Sequence, residues 1–391
     1  MFYNLLTRTL LPAALGNNTR LNALRALSSS PSIDTVLATE SSSKGLIILN
    51  RPKALNAINL EMVRKIYKHL KKCEKSKLLV IIKGTGDKSF CAGGDVRAIV
   101  EAGPTEESKS FFREEYTLNH LIGNYKIPYI AFMDGITMGG GVGLSVHGRY
   151  RVATERTLFA MPETAIGLFP DVGGSHFLPR LNGKLGLYLG LTGFRLKGED
   201  VTNAGIATHY CPSDKLKHLE SALLNCNDPD DIPDIMNSLT TKPEKKFILG
   251  PHLKTINKCF AAPSVEDIFK NLSEEGSEWS LNTLDILKKM SPLALKVTHR
   301  QLEHGSNLSL TQCLIMEYRM VVRHLEDSDF KEGVRALLID KDQKAKWNPS
   351  TIEAVTSERV AKFFAKLPDT EELKLTELNW VLKNGDKYLQ R

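Results

Sequence analysis

No apolar run in this chain approaches the ~20 residues needed to cross a bilayer; the longest, such as LLVII at 78–82, have the length of buried strands. Cysteine is sparse and unpatterned. The six residues (Cys73, Cys91, Cys211, Cys226, Cys259, Cys313) form no CxxC and have no histidine at ligand spacing, which argues for a reducing compartment, structural thiols and no metal site. His147, His176 and His209 likewise lack partners at metal spacing. The GTG at 84–86 is not followed by GKS or GKT, so it is no phosphate loop. Acidic residues are missing altogether from 1–33, which hold Arg8, Arg20 and Arg25 among Ser, Thr, Leu and Ala. That segment also lacks the continuous apolar centre of a secretory signal. Its composition is that of a mitochondrial transit peptide, or of a disordered tail, and RALSSSPSID (25–34) has the character of a matrix-processing site. Losing those three arginines lowers the formal charge from +7 to +4, which removes much of the basis for a nucleic-acid partner.

What is present is ordinary in bulk: 42% hydrophobic and 25% charged residues, as in soluble enzymes. At 391 residues the chain exceeds one usual domain, so a core with an extension is expected. Short apolar runs at 45–50, 78–84, 127–135, 149–154 and 158–161 read as strands. Helical spacing lies between them, notably Leu60, Val63, Ile66, Tyr67 and Leu70 in a helix to about 72. Strand–strand–helix units of this kind imply an α/β core. Beyond about 184 the helical period dominates, clearest at 278–290, 292–303 and 309–325. The expected organisation is a leader at 1–33, a core at 34–225 and a helical region at 226–391.

Three segments carry chemistry. SFCAGGDV (89–96) and GITMGGGVGLSVHG (135–148) are glycine-rich turns feeding helices, where the backbone approaches a ligand closely and offers unpaired N–H groups. MPETAIGLFPDVGG (161–174) places Glu163 and Asp171 eight residues apart. Two N–H sources with a carboxylate pair can stabilise an oxyanion and move protons. The same residues also suit plain structural roles: Glu163 as a first-turn acid after Pro162, Asp171 as a helix cap before Val172, and Asp95 as the cap of a helix from Val96.

These motifs resemble the crotonase (enoyl-CoA hydratase/isomerase) superfamily over about 34–210, and VRALLIDKDQKAKWNP (334–349) resembles its thioester-hydrolase branch. The resemblance implies a core of repeated ββα units with a helical C-terminal extension. It places an oxyanion hole on the N–H groups of Gly94 and Gly140, and catalytic carboxyls on Glu163 and Asp171. Hydratases of the superfamily carry a further glutamate three residues past the Gly140 position. Here Gly143 stands there, while Asp171 replaces a small glycine, and that exchange implies hydrolysis of a 3-hydroxyacyl-CoA. Glu115 is implied as a further substrate contact, with adjacent Glu114 leaving the assignment open. The CoA moiety is implied to follow Lys53, Ala54 and Leu55 and the Ala92-Gly93 turn. CoA belongs to the substrate, so no cofactor is implied. A homo-oligomer is common in the superfamily. The rivals are a hydratase or isomerase of the same superfamily, and a non-catalytic RNA-binding relative.

Overall fold

The structure, a computed structural model, describes residues 34–39 and 43–375; the leader expected at 1–33 lies outside them. Strands β1 (Val36–Thr39) and β2 (Lys44–Leu49) pair antiparallel. Helix α1 (Leu60–Ser76) follows, capped by the Asn59 side chain, which accepts from the Met62 N–H. It runs past the expected end near 72 because Cys73 continues the buried face of Met62, Val63, Ile66, Tyr67 and Leu70.

Three strand pairs come next. They are β3 (Leu79–Gly84) with β4 (Ser89–Cys91), β5 (Tyr129–Met133) with β6 (Ile136–Met138), and β7 (Tyr150–Ala153) with β8 (Leu158–Ala160). The first strand of each pair joins a six-stranded sheet and the second a four-stranded one; β9 (Leu196–Lys197) completes the four-stranded sheet and β10 (His209–Tyr210) the six-stranded one, in the orders β4-β6-β8-β9 and β1-β2-β3-β5-β7-β10. After the first pair come α2 (Val96–Ala102) and α3 (Glu106–Gly123), after the second α4 (Gly140–Gly143), and after the third a 3₁₀ turn (Glu163–Ile166) and α5 (Gly174–Phe177). This is the expected ββα repeat. Helix α4 is shorter than the run to Val146 suggests, since the Ser145 hydroxyl bonds back to the Gly141 and Val142 carbonyls, at 2.9 and 3.1 Å.

Parallel strands covered on both sides are apolar throughout. In β3, Val80 and Ile82 face one core with Ile66 and Leu70, and Leu79 and Ile81 face a second. The second core is closed by α8 (Ser213–Asn225) and α9 (Ile232–Leu239), which follow α6 (Leu185–Thr192) and α7 (Glu199–Asn203). Next come α10 (Leu253–Cys259), α11 (Val265–Glu275), α12 (Glu278–Leu287), α13 (Pro292–Gly305), α14 (Leu310–Glu326), α15 (Ser328–Val334) and α16 (Ser357–Phe364). Among the described residues, everything from Val36 onward belongs to one compact unit, and the expected boundary near 225 marks no break in it.

Helices α13 to α15 press on residues 162–177 with no room between. A Cβ on Gly305 would strike the Ser175 carbonyl, one on Gly333 would strike the Ile166 backbone, and one on Gly167 would strike the Asp329 carbonyl. Backbone meets backbone at each point, so neither side can yield. Gly305→Ala is therefore expected to destabilise the protein by about 1–3 kcal/mol or more. Thermal unfolding checks this; an unchanged melting temperature would mean the contact is loose.

Candidate active site

Strand β4 runs into Ala92–Asp95 and β6 into Gly139-Gly140. The backbone turns at Gly93 (φ +111°) and Gly139 (φ +45°), conformations that L side chains rarely adopt. A parallel bridge pairs Ile58 with Gly94: the Ile58 N–H donates to the Gly93 carbonyl and the Asp95 N–H to the Ile58 carbonyl, both at 2.9 Å. Those bonds use the residues flanking Gly94, and among the described residues the Gly94 N–H enters none of the backbone bonds between segments. Gly140 opens α4, where first-turn N–H groups have no helical partner. A Cβ built on Gly140 would lie 3.3 Å from the Gly94 nitrogen, so both N–H groups border one small space.

Carboxylates converge on that space. Glu115, Glu163 and Asp171 are 2%, 5% and 5% exposed. A Cβ on Gly140 would meet Glu115 Oε1 at 2.5 Å, and one on Gly139 would meet Glu163 Oε1 at 3.1 Å. Among the described residues, Glu115 Oε1 and Glu163 Oε2 are buried without a hydrogen-bond partner. Glu114 turns away into a two-pronged pair with Arg64, at 2.6 and 2.7 Å, while Glu115 is the one that reaches Gly140. The Tyr116 hydroxyl donates to Asp171 Oδ2 at 2.9 Å. Asp171 caps no helix: α5 begins at Gly174, and the Asp171 carboxylate is spent on Tyr116. Asp95 does stand at the N-cap position of α2, as expected, but its side chain bonds no N–H of that helix and pairs with Arg51 at 3.1 Å.

Burial raises the proton affinity of all three groups. For Glu115 the charges of Asp171 and Glu163 add to it, and for Glu163 that of Asp171. Asp171 rises from 3.8 to about 7, again through burial, with the Tyr116 bond working in the opposite direction. A carboxyl whose affinity sits near neutrality can accept and return a proton in one cycle.

The two segments expected to follow CoA also lie together. The Ala92 N–H donates to the Leu55 carbonyl at 3.1 Å, and Arg51 bridges from the Ala57 carbonyl to Asp95. Ala54 sits on the same turn, and Gly93 is buried beside it while Lys53 is exposed. Four supporting residues lay outside the sequence reading. Tyr116 holds Asp171; Asn119, fully buried with both amide atoms unpartnered, lies one turn beyond Glu115; Gln301 and Glu317 reach in from α13 and α14. A hint existed, since Tyr116 and Asn119 share a helix with Glu115 and Glu317 interrupts a buried stripe.

The enoyl-CoA hydratase/isomerase family description matches residues 44–364. The chain belongs to the enoyl-CoA hydratase/isomerase family. Two relatives in the family are named mitochondrial 3-hydroxyisobutyryl-CoA hydrolase. That of Xenopus tropicalis is 55% identical over 86% of this chain and 90% of its own length. The human one is 51% identical over 90% of this chain and 94% of its own. Among solved structures, a carnitinyl-CoA dehydratase from Mycobacterium thermoresistibile superposes with a TM-score of 0.82 at 36% identity, covering 88% of this chain and 99% of its own.

The raised affinity of Asp171 means that the folded protein holds its proton more tightly than the unfolded chain. Ionising it therefore costs stability, a cost absent below about pH 4 and complete above about 7. Asp171→Asn should raise the unfolding free energy by roughly 2–4 kcal/mol at pH 8 and by little at pH 4. Urea titrations at the two pH values measure it, and an equal effect at both would contradict the buried, protonatable site.

Proposed function

We propose that this chain hydrolyses 3-hydroxyisobutyryl-CoA to 3-hydroxyisobutyrate and CoA in the mitochondrial matrix, a step of valine breakdown. Relatives that are 51% and 55% identical over most of the chain carry that activity and compartment in their names. The observation that carries the reading here is the placement of the Glu115 and Glu163 carboxyls against the turn whose Gly140 N–H adjoins that of Gly94. The thioester oxygen is held between the two N–H groups, where removing one such donor typically costs about 2.7–4 kcal/mol of barrier. Glu163 delivers the cleaving oxygen, either by attacking the carbonyl to form an anhydride that water opens or by deprotonating that water. Asp171, with Tyr116 behind it, and Glu115 meet the hydroxyl end of the acyl group. CoA leaves as its thiol, along the surface of Lys53, Ala54, Leu55, Ala92 and Gly93.

A cavity of about 290 Å³ is walled by Phe111, Ile99 and Asp95, the residue after Gly94, and its lining includes none of Glu115, Glu163 and Asp171. It is near the small end of ligand sites, which span about 300–1,000 Å³, and offers room for part of the substrate chain.

Hydration is the alternative, favoured by the dehydratase name of the structural neighbour. Gly143 opposes it. A Cβ there would lie 2.7 Å from both Asn119 Nδ2 and Val172 Cβ, so the second glutamate of a hydratase has no space at this position.

Incubation with 3-hydroxyisobutyryl-CoA should release free thiol, and crotonyl-CoA should keep its enoyl absorbance. Glu163→Gln should lower kcat by about 10²–10⁴-fold. Loss of enoyl absorbance without thiol release would overturn the assignment. A single turnover in ¹⁸O-water leaves label in Glu163 if the anhydride forms and none if water attacks directly.

A further inference from the structure

Asp171 is followed by Val172 at φ +52°, a left-handed conformation that a β-branched residue adopts only when its surroundings impose it. Three side chains impose it, each on a successive part of the backbone. Gln301 Nε2 on α13 donates to the Pro170 carbonyl at 2.7 Å. His147 Nε2, past the end of α4, donates to the Val172 carbonyl at 2.7 Å. Glu317 on α14 accepts from the Gly173 N–H at 2.7 Å through Oε2 and from the Ser175 N–H at 2.9 Å through Oε1, which also takes the Ser175 hydroxyl. Glu317 is wholly buried and, among the described residues, has no Arg or Lys as a hydrogen-bond partner and makes no hydrogen bond to the groups assigned to the chemistry.

We infer that Glu317 is a positioning residue for the reaction: its carboxylate clamps Gly173 and Ser175 so that the strained turn holds Asp171 against the Tyr116 hydroxyl, facing the thioester. A carboxylate suits this place because every group aimed at it is a donor. Its two oxygens take the backbone N–H groups as a fork, and they do for α5 what a cap would otherwise do. A glutamine of the same shape would turn one NH₂ against a donor, open the fork and let Val172 relax. Burying a carboxylate without a cationic partner is costly, and its retention on a largely apolar helix face is accounted for by this work on the turn.

The inference rests on Asp171 being a catalytic group, and a double-mutant cycle in the full chain separates the two ideas. Asp171→Asn alone should reduce kcat for 3-hydroxyisobutyryl-CoA; if it does not, the reading of the site fails, and with it this one. Glu317→Gln should lower kcat by about 10²-fold, the loss expected when a reacting group shifts by about 1 Å, and leave KM nearly unchanged. In the Asp171→Asn background the Glu317→Gln change should add little, because the two residues act as one unit. A full further loss there would show a general structural effect and overturn the proposal, as would an unchanged kcat in Glu317→Gln alone. Should that variant not fold, Ser175→Ala removes only the hydroxyl bond; the same cycle then gives a smaller, equally non-additive loss, and an additive or absent one sinks the idea.

Discussion

Removing four carboxyl groups from water within one site is the constraint on which this structure turns. Among the described residues, Glu115, Glu163, Asp171 and Glu317 take no Arg or Lys partner. Ions so placed are expensive, and the cost appears as proton affinities pushed upward, through burial in all four and, for Glu115 and Glu163, next through the charges of their neighbours. The remainder of the molecule makes this tolerable. Two apolar cores flank the six-stranded sheet, and glycines at the contact points let backbone segments approach where a single methyl would not fit.

The choice between adding water to a double bond and cleaving a thioester comes down to where space is given. Asn119 and Val172 close the room beside Gly143, while Asp171 takes a place across the turn.

Much of this was legible in the chain itself. The glycine turns marked two places of close backbone approach, because such approach needs residues without Cβ, while singling out Gly94 and Gly140 within them took the resemblance to the family; short apolar runs marked the strands and the 3.6 period the helices. What was hidden depended on partners distant in sequence. Arg64 removes Glu114 from contention, Arg51 draws Asp95 away from the helix it precedes, and Glu317 serves a turn more than a hundred residues earlier. No local pattern encodes such pairings. Yet Glu317 and His324 did stand as polar breaks in the buried face of α14, among Cys313, Leu314, Val321 and Leu325, and a polar break in an apolar stripe marks a group with buried work to do.

Gly305, Gln301, Glu317 and Asp329 brace residues 163–175 from the far side of the chain. On the ribosome, then, the glycine turns and Glu163 emerge long before the helices that give them their shape. The nascent protein carries an unfinished site through most of its synthesis, and acquires catalytic form only when its last third is released and docks.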